Sequence, residues 1–269
     1  MTPAEESTRP REPTATAGPL DRPVVIDLET VPDQPPLIIT IDGPAGTGKS
    51  TVSRLLAGRL GLDFLDTGAM YRAATAIAID AGLDDAVRRG DGHARLLERV
   101  VDADLHFDWQ TDPPSILAWL RPMNDRIRKP DVTALVSRVS AIGTLRRHMV
   151  QKQRIIGFQH PRLVTEGRDQ GTVAFPDAPL KFYLNADPAV RAERRAAQYR
   201  EQGHNADAAQ VLEEILERDR IDSTRSDGPL RCPDDAVTVD TSDLDVEGVL
   251  DVLERESRER LGARLEEAG

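Results

Sequence analysis

Cysteine, lysine and aromatic residues are scarce in this chain of 269 residues. The single cysteine, Cys232, excludes an internal disulfide and a zinc site built on several cysteine ligands. Lysine occurs at only four positions, whereas arginine, which suits bidentate contacts with phosphates and carboxylates, is abundant. The chain has neither an apolar run of the roughly 20 residues that a transmembrane helix needs nor a signal peptide pattern. We therefore expect a cytoplasmic protein without membrane contacts.

The formal net charge of the chain is −11, so a general nucleic-acid binder is not expected. Residues 1–36 hold eight of the 19 prolines, and such a composition cannot bury enough apolar surface to offset the entropy of ordering. These residues are predicted to form a disordered tail. One globular domain is predicted over residues 37–269.

The stretch from Leu37 to Leu60 dominates the functional reading of the sequence. An apolar run leads into an octet, Gly43 to Ser50, that matches the phosphate-binding pattern G-x-x-x-x-G-K-[ST], and a helical pattern follows. Strand before and helix after are the context of a P-loop, so the residues predicted to bind ATP are Gly43, Pro44, Ala45, Gly46, Thr47, Gly48, Lys49, Ser50 and Thr51. Lys49 would carry a charge to the β- and γ-phosphates, and the Ser50 hydroxyl would ligate Mg²⁺.

Strand and helix patterns alternate along the domain, which predicts an α/β fold with a parallel sheet covered by helices on both faces. Residues 103–127 read as a small β-rich insertion, with Trp109 and Trp119 expected in its core. Asp131 is the expected N-cap of the helix that follows. In the last helix, Val246 is expected to begin the buried face.

A P-loop alone does not distinguish a kinase from a GTPase or a motor ATPase. The [NT]-K-x-D segment by which GTPases read guanine is absent, and its nearest match starts with Arg128 instead. Leu62 to Asp66 is a poor match to the apolar run ending in an acid that motor ATPases carry. Arginines in several separate segments favour phosphoryl transfer between two anionic nucleotides, because such charges align both partners and neutralise the transferred group.

In four segments the sequence resembles bacterial cytidylate kinase (CMP kinase). The segments are Ile39 to Pro44 with the P-loop, Leu65 to Arg72, Glu166 to Ala178, and Glu217 to Arg225. They lie in the family's order and at similar spacing, and the third is the most specific. The resemblance implies an ATP- and Mg²⁺-dependent transfer to CMP or dCMP. It also implies an NMP-binding region at about 67–160, containing the insertion, and a short lid at about 187–205. We expect the protein to be a monomer.

The resemblance also implies roles for individual residues. Thr67, Tyr71 and Arg72 would contact the acceptor nucleotide, with Arg72 on its phosphate. Cytosine would be read by Ser137, Arg146 and Asp169. The acceptor phosphate would be held by Arg168 and Arg225, and the sugar by Arg218 and Asp222. The lid arginines facing ATP would be Arg191, Arg194 and Arg195. With Lys49, Arg168 and Arg225, these form the predicted catalytic set.

Two positions depart from the family pattern. Glu166 stands where the family commonly has Asp, and its role is left open. Ser50 stands where many members have Gly, which favours a direct Mg²⁺ ligand in this chain.

Simpler alternatives exist for several of these residues. Arg218, Asp222 and Arg225 share one helical face, as an exposed salt-bridge ladder would. For Asp169, the alternative is that it only fixes Arg168 by an ion pair. For the whole chain, the rival functions are phosphorylation of another small acceptor, such as UMP or shikimate, and ATP sensing without catalysis.

Because residues 1–36 lack any hydrophobic pattern, we predict that their deletion leaves stability and activity almost unchanged. Thermal denaturation and kinase assays of the full and shortened chains check this. Loss of folding in the shortened chain would show that the tail contains a structural element.

Overall fold

The computed structural model describes residues 35–266 except residues 202 and 204, so the predicted tail lies almost entirely outside the described residues. The strands are β1 (Leu37–Asp42), β2 (Asp63–Asp66), β3 (His106–Asp108), β4 (Ser115–Ala118), β5 (Arg121–Pro122), β6 (Arg162–Gly167), β7 (Leu180–Asn185) and β8 (Val237–Asp240). The helices are α1 (Lys49–Leu60), α2 (Thr67–Asp80), α3 (Asp84–Arg89), α4 (His93–Asp102), α5 (Pro130–Ser140), α6 (Gly143–Gln159), α7 (Pro188–Glu201), α8 (Ala208–Thr224) and α9 (Val246–Glu266).

Five strands form a parallel sheet in the order β2-β6-β1-β7-β8, which confirms the predicted fold class. In the central strand β1, Ile38 faces one hydrophobic cluster, whereas Ile39 and Ile41 face another. The first cluster is built with α2 and α4 to α6, and the second with α1 and α9. Because neighbouring side chains of a strand point to opposite faces, an unbroken apolar run is what a sheet covered on both sides requires.

The predicted insertion contains the second sheet, in which β3, β4 and β5 pair antiparallel. Trp109 is partly buried against the first cluster and stacks on His160 with ring centroids 3.7 Å apart. The expectation that Trp119 lies in the core is wrong. It occupies the tight turn between β4 and β5, is 47% exposed, and donates its indole N–H to Asp102 at 3.1 Å.

Two expectations, one about the N-cap of α5 and one about the buried face of α9, are also wrong. Helix α5 begins at Pro130 after Lys129, because proline is favoured at the first helical position, and Asp131 lies inside the first turn. The Asp131 carboxylate accepts from Arg126 at 3.0 Å and from the neighbouring Val132 amide at 2.8 Å, and the N-cap position belongs to Lys129. Val246 is 46% exposed, so the buried face of α9 starts at Val249.

Helices α7 and α8 pack on each other around a small apolar cluster that includes Ala192, Ala196, Val211 and Ile215. The Asp187 carboxylate caps the start of α7 by accepting from the Ala189 amide at 2.7 Å. The predicted lid falls on α7 and the chain that follows it. Among the residues that the structure describes, no helix has the length and apolar character needed to cross a bilayer.

The core of this sheet is expected to dominate stability. Leu56 is fully buried between α1 and the sheet, so Leu56→Ala should lower the free energy of unfolding by about 2–5 kcal/mol. The matched control is Leu216→Ala, because Leu216 is 48% exposed and should cost about 0.5 kcal/mol or less. Urea denaturation of the three proteins measures both values, and equal losses would contradict the assignment of the core.

Candidate active site

A cavity of about 940 Å³ opens at the carboxyl edge of the five-stranded sheet. Its walls come from the segments that follow β1, β2, β6 and β8, together with parts of α5 to α8. In parallel sheets these loops converge at one edge, which is where such folds bind ligands. Its basic lining residues are Lys49, Arg72, Arg146, Arg168, Arg194, Arg195, Arg218 and Arg225.

The P-loop follows the central strand directly. Gly43 lies so close to β7 that a Cβ atom there would be 2.1 Å from the Leu184 carbonyl oxygen, so the position requires glycine. Lys49 is buried and donates to the Pro44 carbonyl at 2.6 Å. Burial, and then the charge of Arg168, lowers the pKa of Lys49 to about 7. A bound polyanion would favour the charged form of this lysine.

Two carboxylates lie beside the start of α1. The Ser50 hydroxyl donates to Glu166 at 2.6 Å, which places the residue whose role the sequence left open next to the P-loop. Asp66 caps α2 by accepting from the Ala69 amide at 3.0 Å. Burial, and then the charge of Glu166, raises the pKa of Asp66 to about 7. Oxygen ligands therefore cluster where the P-loop pattern predicts the metal.

Several arginines of the cavity lie close enough together for their charges to interact. Burial, followed by the like charge of Arg168, lowers the pKa of Arg218 to about 9, and Arg72 and Arg195 act in the same direction. The pKa of Arg72 is likewise lowered, first by burial and then by Arg195. The side-chain nitrogens Arg218 Nε and Arg225 Nη2 are buried without a hydrogen-bond partner. Mutual repulsion and unpaired donors together define an anion site.

One buried carboxylate partly compensates this charge. Asp222 accepts from Arg168 Nε at 3.1 Å and from Arg225 Nη1 at 3.4 Å, and Arg218 Nε lies 3.9 Å away. Burial alone would raise its pKa, but the three arginines hold the pKa of Asp222 below its ordinary value. The alternative of an exposed ladder is therefore wrong, because Asp222 is buried in the cavity wall and also engages Arg168, the residue that follows β6.

In the cavity wall, Asp169 forms a buried ion pair with Arg146. The guanidinium of Arg146 lies 5.3 Å from the centre of the Tyr71 ring, and its other side donates to the Ser140 carbonyl at 3.0 Å. Burial raises the pKa of Tyr71 to about 12, and its hydroxyl is buried without a hydrogen-bond partner. The ion-pair partner of Asp169 is thus Arg146, and the alternative that named Arg168 is wrong.

Helix α7 supplies arginines with different surroundings. Arg194 and Arg195 line the cavity, and Arg195 donates to the Tyr199 hydroxyl at 3.0 Å. Arg191 is buried and does not line it. Its guanidinium donates to the Ala45 carbonyl at 3.0 Å and to Asp219 at 2.6 Å, so it holds α7 and α8 against the P-loop.

Most residues predicted from the sequence meet in this cavity. Those that do not line it are Gly43, Pro44, Ser137 and Arg191. One helical turn after Ser137, Ser140 lines the wall instead. The sequence missed Asp66 and the segment 242–246, which also line it. The available signal was position, because Asp66 ends β2 and the segment 242–246 follows β8, and both therefore lie at the same edge of the parallel sheet as the P-loop.

The fold and this site define a P-loop kinase of the nucleoside monophosphate kinase class. The model of the family described as cytidylate kinase matches residues 39–259. A cytidylate kinase of Rhodococcus opacus is 44% identical over 230 residues, which are 84% of this chain and 96% of that protein. A cytidylate kinase of Corynebacterium glutamicum is 46% identical over 220 residues, or 81% and 92% of the two chains. The chain belongs to the cytidylate kinase family.

The crowded arginines predict stabilisation by anions. Inorganic pyrophosphate, compared with chloride at equal ionic strength, should raise the melting temperature, since ligand at ten times its dissociation constant contributes about 1.4 kcal/mol. In chloride, Arg218→Met should melt no lower than the wild type, because the variant lacks a charge that burial disfavours. In pyrophosphate, its melting temperature should rise much less than that of the wild type. Arg220→Met, an exposed arginine on the same helix, is the control and should keep the full gain. Equal gains in all three proteins would contradict an anion site at Arg218.

Proposed function

We propose that this chain transfers the γ-phosphoryl group of ATP to CMP or dCMP and releases ADP and the corresponding diphosphate. The observation that carries the proposal is the combination of groups that line one cavity. The P-loop, the buried Arg146–Asp169 pair and several arginines all contribute to its wall. The names of the relatives support the same acceptor.

At the donor end, the P-loop amides and the first turn of α1 bind the phosphates of ATP. Lys49 turns from the Pro44 carbonyl to the β- and γ-phosphates and neutralises charge on the transferred group. Arg194 and Arg195 line the cavity from α7 and would reach the same phosphates, Arg194 after leaving the Thr241 and Leu244 carbonyls to which it donates at 2.6 and 3.0 Å. Arg191 contributes indirectly, by holding the backbone of the P-loop through Ala45.

The residues beside the P-loop fit a magnesium ion. Ser50 and Glu166 offer hard oxygen ligands, which Mg²⁺ prefers. Within the part of the chain that the structure describes, no group of three or more His, Cys, Asp or Glu side chains is placed to hold a metal. The ion would therefore take its other ligands from phosphates and water, and when bound it would neutralise charge on the transferred phosphoryl group.

At the acceptor end, Arg168 and Arg225 bind the phosphate of the nucleoside monophosphate, assisted by Arg72. An oxygen of that phosphate attacks the γ-phosphorus as the bond to ADP breaks, so no covalent enzyme intermediate forms. Asp222 holds Arg168 and Arg225 in place, and with Arg218 it reaches the sugar. The catalytic contribution is alignment and charge compensation.

Base recognition is assigned to the buried Arg146–Asp169 pair. An ionised carboxylate only accepts hydrogen bonds, so Asp169 suits the amino group of cytosine and disfavours the carbonyl that uracil presents at the same position. Arg146 lies between Asp169 and the ring of Tyr71, where its donors suit the acceptor atoms of cytosine. Ser137 and Ser140 lie on the same helix, and Ser140 is the one that lines the cavity.

A coupled assay of ADP release with CMP, dCMP, UMP, AMP and shikimate tests the function. We expect turnover with CMP and dCMP far above that with the other acceptors. Lys49→Ala, expected to lose orders of magnitude in turnover, controls for contaminating kinases. A higher turnover with UMP or shikimate would show that the proposed acceptor is wrong. ATP binding without turnover of any acceptor would favour the sensing alternative.

Asp169→Asn tests base recognition. The amide keeps the size of the side chain but adds a donor, so kcat/KM for CMP should fall and the CMP-over-UMP ratio should narrow. A carboxylate that faces the uracil carbonyl costs on the order of 1–3 kcal/mol, so the CMP-over-UMP ratio of kcat/KM should fall roughly tenfold. Kinetics with both acceptors measure the effect.

The matched control is Asp222→Asn, which alters another buried carboxylate paired with arginine. Because Asp222 is assigned to the sugar and phosphate, this variant should lose activity toward both acceptors with little change in ratio. If Asp169→Asn also leaves the ratio unchanged, the assignment of Asp169 to the base is wrong.

A further inference from the structure

Asp42 is a fully buried carboxylate to which the function proposed above gives no role. It is the last residue of the central strand, and the P-loop begins at the next position. Its two oxygens accept from the Gln170 amide at 2.9 Å and from the Gly171 amide at 2.7 Å. One side chain thus joins the strand that carries the P-loop to the segment that carries Arg168 and Asp169.

The segment that Asp42 contacts depends on such support. Residues 170–174 form a single wide helical turn, closed when the amides of Val173 and Ala174 donate to the Asp169 carbonyl at 2.9 and 3.2 Å. The first amides of a helical turn have no partner within it. Asp42, which is 128 residues from Gln170 in sequence, accepts from two of them and so caps the turn.

The surroundings leave the turn little freedom elsewhere. A Cβ atom at Gly171 would lie 2.9 Å from the Thr40 hydroxyl of the same central strand. The Gln170 side chain accepts from Thr165 at 3.1 Å, and Arg154 donates to the Val173 carbonyl at 2.8 Å. The backbone of the turn therefore packs tightly against β1. If a hydrogen bond to Asp42 were lost, the turn would shift and displace Asp169, which directly precedes it.

The charged groups facing Asp42 come from both halves of the site. Lys49 lies on the P-loop side and favours the ionised carboxylate, whereas Asp169 on the acceptor side disfavours it. Burial raises the pKa of Asp42 to about 7, and the two amide hydrogen bonds counteract that rise. The carboxylate and the turn stabilise each other.

We propose that Asp42 is a positioning residue that sets the acceptor-binding segment, Arg168 to Ala174, in register with the P-loop. It touches neither nucleotide. Its two hydrogen bonds fix where Asp169 and Arg168 stand relative to the γ-phosphate. The proposal rests on the function proposed above, since it assigns the segment to acceptor binding.

The test is Asp42→Asn, compared with the wild type and with Asp42→Ser. The amide oxygen of Asn still accepts one backbone N–H, but its NH₂ group faces the other, so the turn loses one bond and shifts. We expect KM for CMP to rise at least about fivefold and the CMP-over-UMP ratio of kcat/KM to fall. KM for ATP should change less than about twofold, because the P-loop amides are untouched. Hydrogen exchange should quicken at the amides of Gln170 and Gly171.

The control is Ser257→Ala, which removes another buried hydrogen bond, 2.7 Å to the Leu253 carbonyl in α9. It should lower stability without separating the two KM values. A parallel rise of both KM values in Asp42→Asn, or unchanged kinetics and exchange, would overturn the proposal. So would failure of both Asp42 variants to fold, because Asp42 would then be a folding requirement. If the wild type does not phosphorylate CMP, the proposed function fails, while the exchange measurement still reports on Asp42.

Discussion

Three arginines from two distant segments meet one buried carboxylate, that of Asp222, and the rest of the site is arranged around this concentration of charge. Asp222 leaves part of this charge uncompensated. Burial first, and then the charge of Arg168, lowers the pKa of both Lys49 and Arg218. The folded protein thus keeps buried arginine donors, Arg218 Nε and Arg225 Nη2, that a bound anion can pair with. Two phosphorylated substrates are anions of the required kind.

The parallel sheet makes such a concentration of charge possible. It aligns the ends of β1, β2, β6 and β8 at one edge, so loops far apart in sequence share one cavity. Fixed carboxylates then hold the basic groups apart at defined positions. Asp222 engages Arg168 and Arg225, Asp169 engages Arg146, and Asp219 engages Arg191. These ion pairs orient the guanidinium groups in the folded protein, which is the preorganisation that electrostatic catalysis uses.

Local sequence signals predicted the elements well because each strand and helix carries its own pattern. They failed where a neighbour decides the outcome. Asp131 has the chemistry of an N-cap, but Pro130 starts the helix and Arg126 takes the carboxylate. Trp119 has the apolar area of a core residue, but a tight turn points it outward. Arg191 shares a helical face pattern with Arg194 and Arg195, yet the carbonyl of Ala45 and the carboxylate of Asp219 engage its guanidinium.

The sequence by itself determined that this chain is a P-loop kinase with a parallel sheet, because the octet at Gly43 to Ser50 and the alternating strand and helix patterns are local. It also determined the acceptor class through four motifs whose residues and order resemble one family. Only the tertiary structure decided which charges pair, which arginine supports the P-loop instead of facing the cavity, and what Glu166 and Asp42 contact. The contacts of Glu166 and Asp42 join residues more than 100 positions apart. No periodicity in a sequence encodes the distance between groups on different elements of the fold.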